Sequence, residues 1–251
     1  MNHSIWAIVP AAGIGKRMLS SIAKQYLLLN DRPVLEHTVN TLLDNKNVSG
    51  LVIALQPDDV YWPQINITSN KPVLRTAGGD ERADSVLNAI EKLYQHEEFN
   101  AESDWVMVHD AVRPCIRQQD INKLVADVAT DENGGLLALP VRDTMKRQKA
   151  DATQAMVEQT VDRENLWHAL TPQYFHADRL KTALQSAKKD NRVITDESSA
   201  MEMAGFSPRL VQGHEDNIKI TRPDDLRLAS LYLLARDGQA NDDLTQAGNN
   251  P

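Results

Sequence analysis

Short, nearly unbroken apolar runs alternate along this chain with segments in which apolar residues recur at helical spacing, and that alternation leaves few folds open. The runs lie at 5–9 (IWAIV), 51–55 (LVIAL), 72–75 (PVLR), 105–108 (WVMV), 136–139 (LLAL) and 208–212 (PRLVQ). Strands without polar alternation are covered on both faces, the condition of a mostly parallel sheet. Between the runs, Val86, Leu87, Ile90 and Leu93 share one helical face, as do Ile121, Leu124, Val125 and Val128. Further helices are predicted over 33–44, 178–189, 196–204 (stopped by Gly205) and 223–236, where Pro223 suits a first turn. Strand–helix alternation of this kind predicts a doubly wound α/β fold.

Two stretches break the rhythm. Residues 142–166 are polar and without clear period, which fits a surface loop or a projecting hairpin arm. Residues 237–251 (DGQANDDLTQAGNNP) have almost nothing to bury and are expected to form a disordered tail. The remainder, 1–236, is long enough for one substantial domain. No apolar stretch is long enough to span a membrane, and the N-terminus lacks the basic region of a signal peptide, so a cytoplasmic protein without membrane attachment is expected. The one cysteine, Cys115, excludes an intrachain disulfide framework and a cysteine-based zinc cage and is expected to be a packed thiol.

Charge narrows the ligand. A net charge of −8 argues against a broad nucleic-acid surface. Residues 1–30 nevertheless contain no acid at all, while Lys16, Arg17 and Lys24 fall there. A local positive pocket on an acidic protein suits a small polyanion. The same region holds PAAGIGKRM at 10–18, directly after the first strand run, and glycines at a strand end let backbone N–H groups approach a phosphate. It is not a P-loop, since Pro10 stands where that motif needs glycine and Arg17 where it needs Ser or Thr. Nor is it the dinucleotide fingerprint, whose third small residue is replaced by Met18.

PAAGIGKRM followed by Lys24-Gln25-Tyr26 resembles the signature of the bacterial 2-C-methyl-D-erythritol 4-phosphate cytidylyltransferases of the non-mevalonate isoprenoid pathway. GGDERADSV (78–86), VHDAVRPC (108–115), PVRDTMKR (140–147), VDRENLWHALTPQ (161–173), TDESSAME (195–202) and DNIKITRPDDL (216–226) resemble that family's further blocks in its order, over roughly residues 5–235. Ala23 stands where proline is usual and Val112 where alanine is usual, and neither departure touches charge. The resemblance implies a Rossmann-like nucleotidyltransferase domain and transfer of CMP from CTP to 2-C-methyl-D-erythritol 4-phosphate, with release of pyrophosphate and with Mg²⁺. It also implies a homodimer whose arms, here about 142–166, reach into the partner subunit.

Residue roles follow the matched positions. Arg17 and Lys24 correspond to transition-state stabilisers on the triphosphate, and Arg163 and Lys219 to residues that position the acceptor phosphate. Pro10, Ala11, Ala12, Gly13, Gly15, Lys16, Gly79, Asp80, Arg82 and Ser85 are expected around CTP. Cytosine pairs an amino donor with two acceptors, which backbone groups can read. Asp110, Arg113, Thr144, Thr171 and Thr195 are expected around the acceptor. Taken alone, Asp110 could equally cap a helix or pair with Arg113, and Gly78-Gly79-Asp80 could be a plain turn into a helix capped near Asp84. Mg²⁺ would lean on phosphate oxygens, with Asp110 and Asp216 as weak protein candidates.

Other readings make different demands. A cytidylyltransferase for another polyol phosphate, such as ribitol 5-phosphate, would share the CTP blocks. A nucleotide-sugar glycosyltransferase commonly carries an Asp-x-Asp metal motif, and none occurs here. A non-catalytic nucleotide-binding regulator should lack the cations at 17, 24 and 219.

Overall fold

The computed structural model describes residues 3–13, 22–129, 131–151 and 153–247, the last eleven by backbone alone. The expected strands, β1 (Ile5–Pro10), β4 (Val48–Leu55), β5 (Val73–Ala77), β6 (Trp105–Val108), β7 (Gly135–Pro140) and β11 (Arg209–Gln212), form a central sheet together with β10 (Trp167–His176), while β2 (Leu28–Leu29) and β3 (Arg32–Pro33) make a small separate ladder. The helices are α1 (Val34–Asp44), α2 (Arg82–Leu93), α3 (Gln118–Val128), α4 (Ala177–Lys189), α5 (Glu197–Met203) and α6 (Pro223–Ala247).

Sheet order is β11-β7-β10-β6-β1-β4-β5, and all neighbours are parallel except β10, which runs antiparallel to both β6 and β7. The doubly wound, mostly parallel α/β expectation therefore holds. Alternation along β1 separates two cores. Ile5, Ala7 and Val9 pack with Leu35, Leu42, Ile121 and Leu124 under α1 and α3. Trp6 and Ile8 pack with Val86, Ile90, Leu180 and Met201 under α2, α4 and α5. A smaller cluster of Leu29, Val34, Val112, Cys115, Ile220 and Ala229 seats α6. Cys115 is the packed thiol expected, and burial pushes its pKa up to about 12.

Three features differ from the sequence expectation or refine it. β10 was not foreseen as a strand, because its first three residues are exposed and only the following six are buried, so no uniform pattern marks it. The polar stretch resolves into an antiparallel hairpin of β8 (Met145–Gln148) and β9 (Val157–Val161). The backbone of α6 continues as helix from 237 to Ala247, where a disordered tail was expected. That segment contains no proline, so nothing in it sterically blocks continuation of the helix. Residues 248–251 lie outside the described residues.

The turn into β7 gives a stability prediction. Gly134 has φ +73°, and a Cβ there would lie 2.1 Å from Cδ1 of the fully buried Phe175. Gly134→Ala combines a left-handed backbone with overpacking and is expected to cost about 2–4 kcal/mol. An unchanged urea-denaturation midpoint would contradict this.

Candidate active site

β1 has its sequence successor β4 on one side and β6 on the other. The point where strand order reverses leaves a crevice beyond the carboxyl ends of β1 and β6, where ligands collect in such sheets. A cavity of about 450 Å³ lies there, bounded by Pro10–Gly13 after β1, the Gly79–Arg82 turn before α2, Asp110 after β6, and Lys24 and Lys219. Of the residues expected around a nucleotide, Pro10, Ala11, Ala12, Gly13, Gly79, Asp80, Arg82 and Ser85 all line it. Gly15, Lys16 and Arg17 lie outside the described residues.

The cavity walls are held by short, specific ties. The Gln25 amide donates to the Ala11 carbonyl at 2.8 Å, and the Gln56 amide to that of Ala12. The Gly79 N–H donates to Ser85 Oγ at 3.1 Å, folding the glycine turn onto the first turn of α2, which is closed by a capping box between Glu81 and Asp84. At Gly78 a Cβ would meet that of Ala12 at 2.2 Å, so the two loops approach as closely as they do only because this position is glycine. Gln25, Gln56 and Glu81 were not foreseen as wall residues. Gln25 stands within the quoted Lys-Gln-Tyr string and Gln56 directly follows a strand, and both places invite a site residue.

Asp110 is the electrostatic centre. Arg82 Nε meets its Oδ1 at 3.1 Å, while Arg113 Nε and Lys219 Nζ meet Oδ2 at 3.2 and 2.9 Å. Burial alone would raise the Asp110 pKa, but the charges of Arg82, Lys219 and Arg113 hold it well below the usual carboxylate range. Its backbone is fixed as well. The Asp110 N–H donates to Thr171 Oγ1 at 3.1 Å, and that hydroxyl lies 2.9 Å from His109 Nδ1. His109 Nε2 faces the Arg113 carbonyl at 3.1 Å, which makes Nε2 the donor and Nδ1 the acceptor. Full burial lowers the His109 pKa to about 4, so the ring is neutral at pH 7.

Several expected ligand contacts are engaged within the protein. Arg82 donates to Asp110 and, through Nη1 at 2.5 Å, to the buried Glu197, so it braces the site while also lining the cavity. Arg113 pairs with Asp110 and donates to the Asn217 carbonyl at 2.7 Å. Thr171 spends its hydroxyl on Asp110 and His109. Asp216 is not in the cavity at all. Arg117 and Arg236 each reach its Oδ2 at 2.7 Å, so the carboxylate is engaged outside the cavity. Among the described residues no group of three or more His, Cys, Asp or Glu is placed to hold a metal ion. Both oxygens of Asp110 are likewise taken by cations.

Thr144, Arg163 and Thr195 are exposed and absent from the cavity lining. Arg163 donates to the Arg142 carbonyl at the base of the hairpin. The Thr195 N–H donates to Ser199 Oγ ahead of α5.

A glycine turn and lysines gathered over the switch point of a doubly wound sheet define a nucleotide-binding α/β protein of the nucleotidyltransferase kind. A family model for IspD, 2-C-methyl-D-erythritol 4-phosphate cytidylyltransferase, matches residues 5–235. A protein of that name from Aliivibrio fischeri is 52% identical over 231 residues, 92% of this chain and 94% of the relative. One from Pseudomonas entomophila is 48% identical over 89% of this chain and 93% of its own. The crystal structure of the Francisella tularensis 2-C-methyl-D-erythritol 4-phosphate cytidylyltransferase superposes with a TM-score of 0.76 at 33% identity, covering 91% of this chain and 99% of that one. The chain belongs to the 2-C-methyl-D-erythritol 4-phosphate cytidylyltransferase family. Among its described residues no helix is long and apolar enough to cross a membrane.

Proposed function

We propose that this enzyme transfers CMP from CTP to 2-C-methyl-D-erythritol 4-phosphate, giving 4-diphosphocytidyl-2-C-methyl-D-erythritol and pyrophosphate. The observation that carries the reading is the placement of Lys24 and Lys219 across one cavity from the backbone of Pro10–Gly13 and the Gly79–Ser85 turn. A phosphate oxygen of the acceptor attacks the α-phosphorus in line. The new P–O bond forms as the bond from the α-phosphorus to the bridging oxygen breaks, and the electron pair leaves with pyrophosphate. The acceptor phosphate is already an anion, so no general base is required. Catalysis consists of holding two anions together and neutralising charge that develops in the transition state.

In this reading Lys24 and Arg17 face the triphosphate, and Lys219 holds the acceptor phosphate beside Asp110. The nucleoside lies between the Pro10–Gly13 backbone and Gly79, Asp80 and Ser85. Mg²⁺ is the proposed companion of the nucleotide and would supply charge neutralisation on the phosphates. With Asp110 and Asp216 engaged by cations, its ligands would be phosphate oxygens and water.

Arg163 and Thr144 are proposed to complete the acceptor site of a partner subunit in a homodimer with exchanged arms, and Thr195 to reach the same acceptor from its own chain. The hairpin carries Met145, Met156 and Val157 exposed, and Leu166 and Trp167 are exposed where the chain returns to the central sheet, an apolar load that a second subunit would cover.

The test is pyrophosphate release from each of four nucleotides crossed with methylerythritol and ribitol phosphates. CTP with methylerythritol phosphate is expected to dominate. Uracil reverses one donor and one acceptor, and a mispaired buried polar group costs roughly 1–3 kcal/mol, so CTP should exceed UTP by about ten- to a hundredfold in kcat/KM. Equal values for UTP, or preference for ribitol phosphate, would overturn the assignment.

A further inference from the structure

Lys219 lies in an irregular segment, 217–221, between β11 and α6, where no ladder or helix fixes the backbone. Such a segment is placed by ties at its ends. Downstream, the Ile220 N–H donates to the Val112 carbonyl at 2.9 Å, and Lys24 Nζ donates to the Ile220 carbonyl at 3.3 Å. In the middle, Arg113 grips the Asn217 carbonyl, and the Asn217 amide donates to that of Thr171 at 2.8 Å. The upstream tie is Asp216, buried and three positions before Lys219. Arg117 Nε approaches both of its oxygens, at 3.2 and 2.9 Å, and Arg236 adds Nε and Nη2 contacts to Oδ2 at 3.2 and 2.7 Å. Arg236 also donates to the Cys115 and Ile116 carbonyls, so one guanidinium joins α6, the segment after β6 and the root of the Lys219 loop.

We propose that Arg236 is a positioning residue for Lys219, acting through Asp216 from outside the cavity. It stands one position beyond the stretch matched by the family model. Lys219 Nζ reaches Asp110 Oδ2 at 2.9 Å only while its loop keeps this register, and the Asp216 carboxylate is the anchor at its upstream end, as Asp225, which accepts from the Thr221 N–H and hydroxyl, is at its downstream end. Arg117 comes from the start of α3 and grips Asp216 from the other side, so removing Arg236 leaves the carboxylate paired but free to follow Arg117. The inference rests on the reading of Lys219 as the acceptor-phosphate cation.

The test uses full-length wild type, Arg236→Met and Arg236→Lys. Acetylation of lysines by acetic anhydride, without substrates, is followed residue by residue by mass spectrometry. Lys71, whose Nζ is tied to the Leu43 and Asn45 carbonyls on the far side of the fold, serves as the reference. Arg236→Met is expected to speed modification of Lys219 several-fold and leave Lys71 unchanged, with Arg236→Lys between the two. In turnover, Arg236→Met should lower kcat/KM for the acceptor by about tenfold or more through misplacement, with KM for CTP little changed. Unchanged Lys219 labelling, or an equal rise at Lys219 and Lys71, would overturn the proposal, the second by making Arg236 a general staple of α6. Should Arg236→Met fail to fold, Arg236→Lys decides by the same comparison. A wild type inactive on methylerythritol phosphate would defeat the functional reading, while the labelling ratio would still judge Arg236.

Discussion

Replacing Lys24 with alanine is expected to lower kcat by about a hundredfold or more while leaving the fold intact. Lys24 lines the cavity from a short 3₁₀ turn, and its Nζ donates to the Ile220 carbonyl at 3.3 Å. The neighbouring Gln25 and Tyr26 are buried and carry the local packing, so the turn should survive the loss of the lysine side chain. The ammonium acts most strongly when the α-phosphorus is five-coordinate and charge on the phosphate oxygens is greatest, so the loss belongs to the transition state. Steady-state kinetics with a thermal-unfolding control measures it. An unchanged kcat with only a raised KM for CTP would demote Lys24 to ground-state binding.

Activity is also expected to return when two inactive variants, Lys24→Ala and Arg163→Ala, are mixed under conditions that allow subunits to exchange. Arg163 is exposed and lies outside the cavity formed by its own chain. If the arm of each subunit serves its partner, a heterodimer gathers both lesions in one site and leaves the other wild type. Each heterodimer should then show half the wild-type rate. If both residues serve their own chain, every site keeps a lesion and the mixture stays inactive. Absence of recovery, with exchange demonstrated by mass spectrometry of tagged subunits, would refute the shared site.

The layered fold was legible because its signal is local. A run such as WVMV at 105–108 can be buried on both faces only inside a sheet, and β6 has those bounds. Glycines 78 and 79 and the helical face of Val86, Ile90 and Leu93 likewise announce a turn into a helix, although the cap expected near Asp84 is Glu81, with Asp84 closing the capping box from the third helical position. Strand β10 escaped because it is exposed at one end and buried at the other, with Pro172 between, so neither a continuous nor an alternating pattern spans it.

The candidate site divides in the same way. The residue types needed for phosphate chemistry, an acid-free N-terminal stretch with cations beside a glycine turn, could be read directly from the chain, and so could the ordered motif blocks. Apart from the local Asp110–Arg113 pair, which cation meets which anion could not, because the other pairings depend on convergence across longer sequence separations. Asp216 opens the DNIKITRPDDL block and is, by sequence, a candidate metal ligand. In space it is claimed by Arg117 and Arg236, 99 and 20 residues away. Arg82 lies within a nucleotide-binding block, yet Glu197, 115 residues on, draws its guanidinium into the protein. Sequence by itself determined the layers and the inventory of charges, since these follow from periodicity and composition, while the strand order that makes the switch point came from the structure. Only the tertiary structure decided which charges meet one another and which cations, like Lys24 and Lys219, line the cavity, because Coulomb energy depends on distances that no single segment contains.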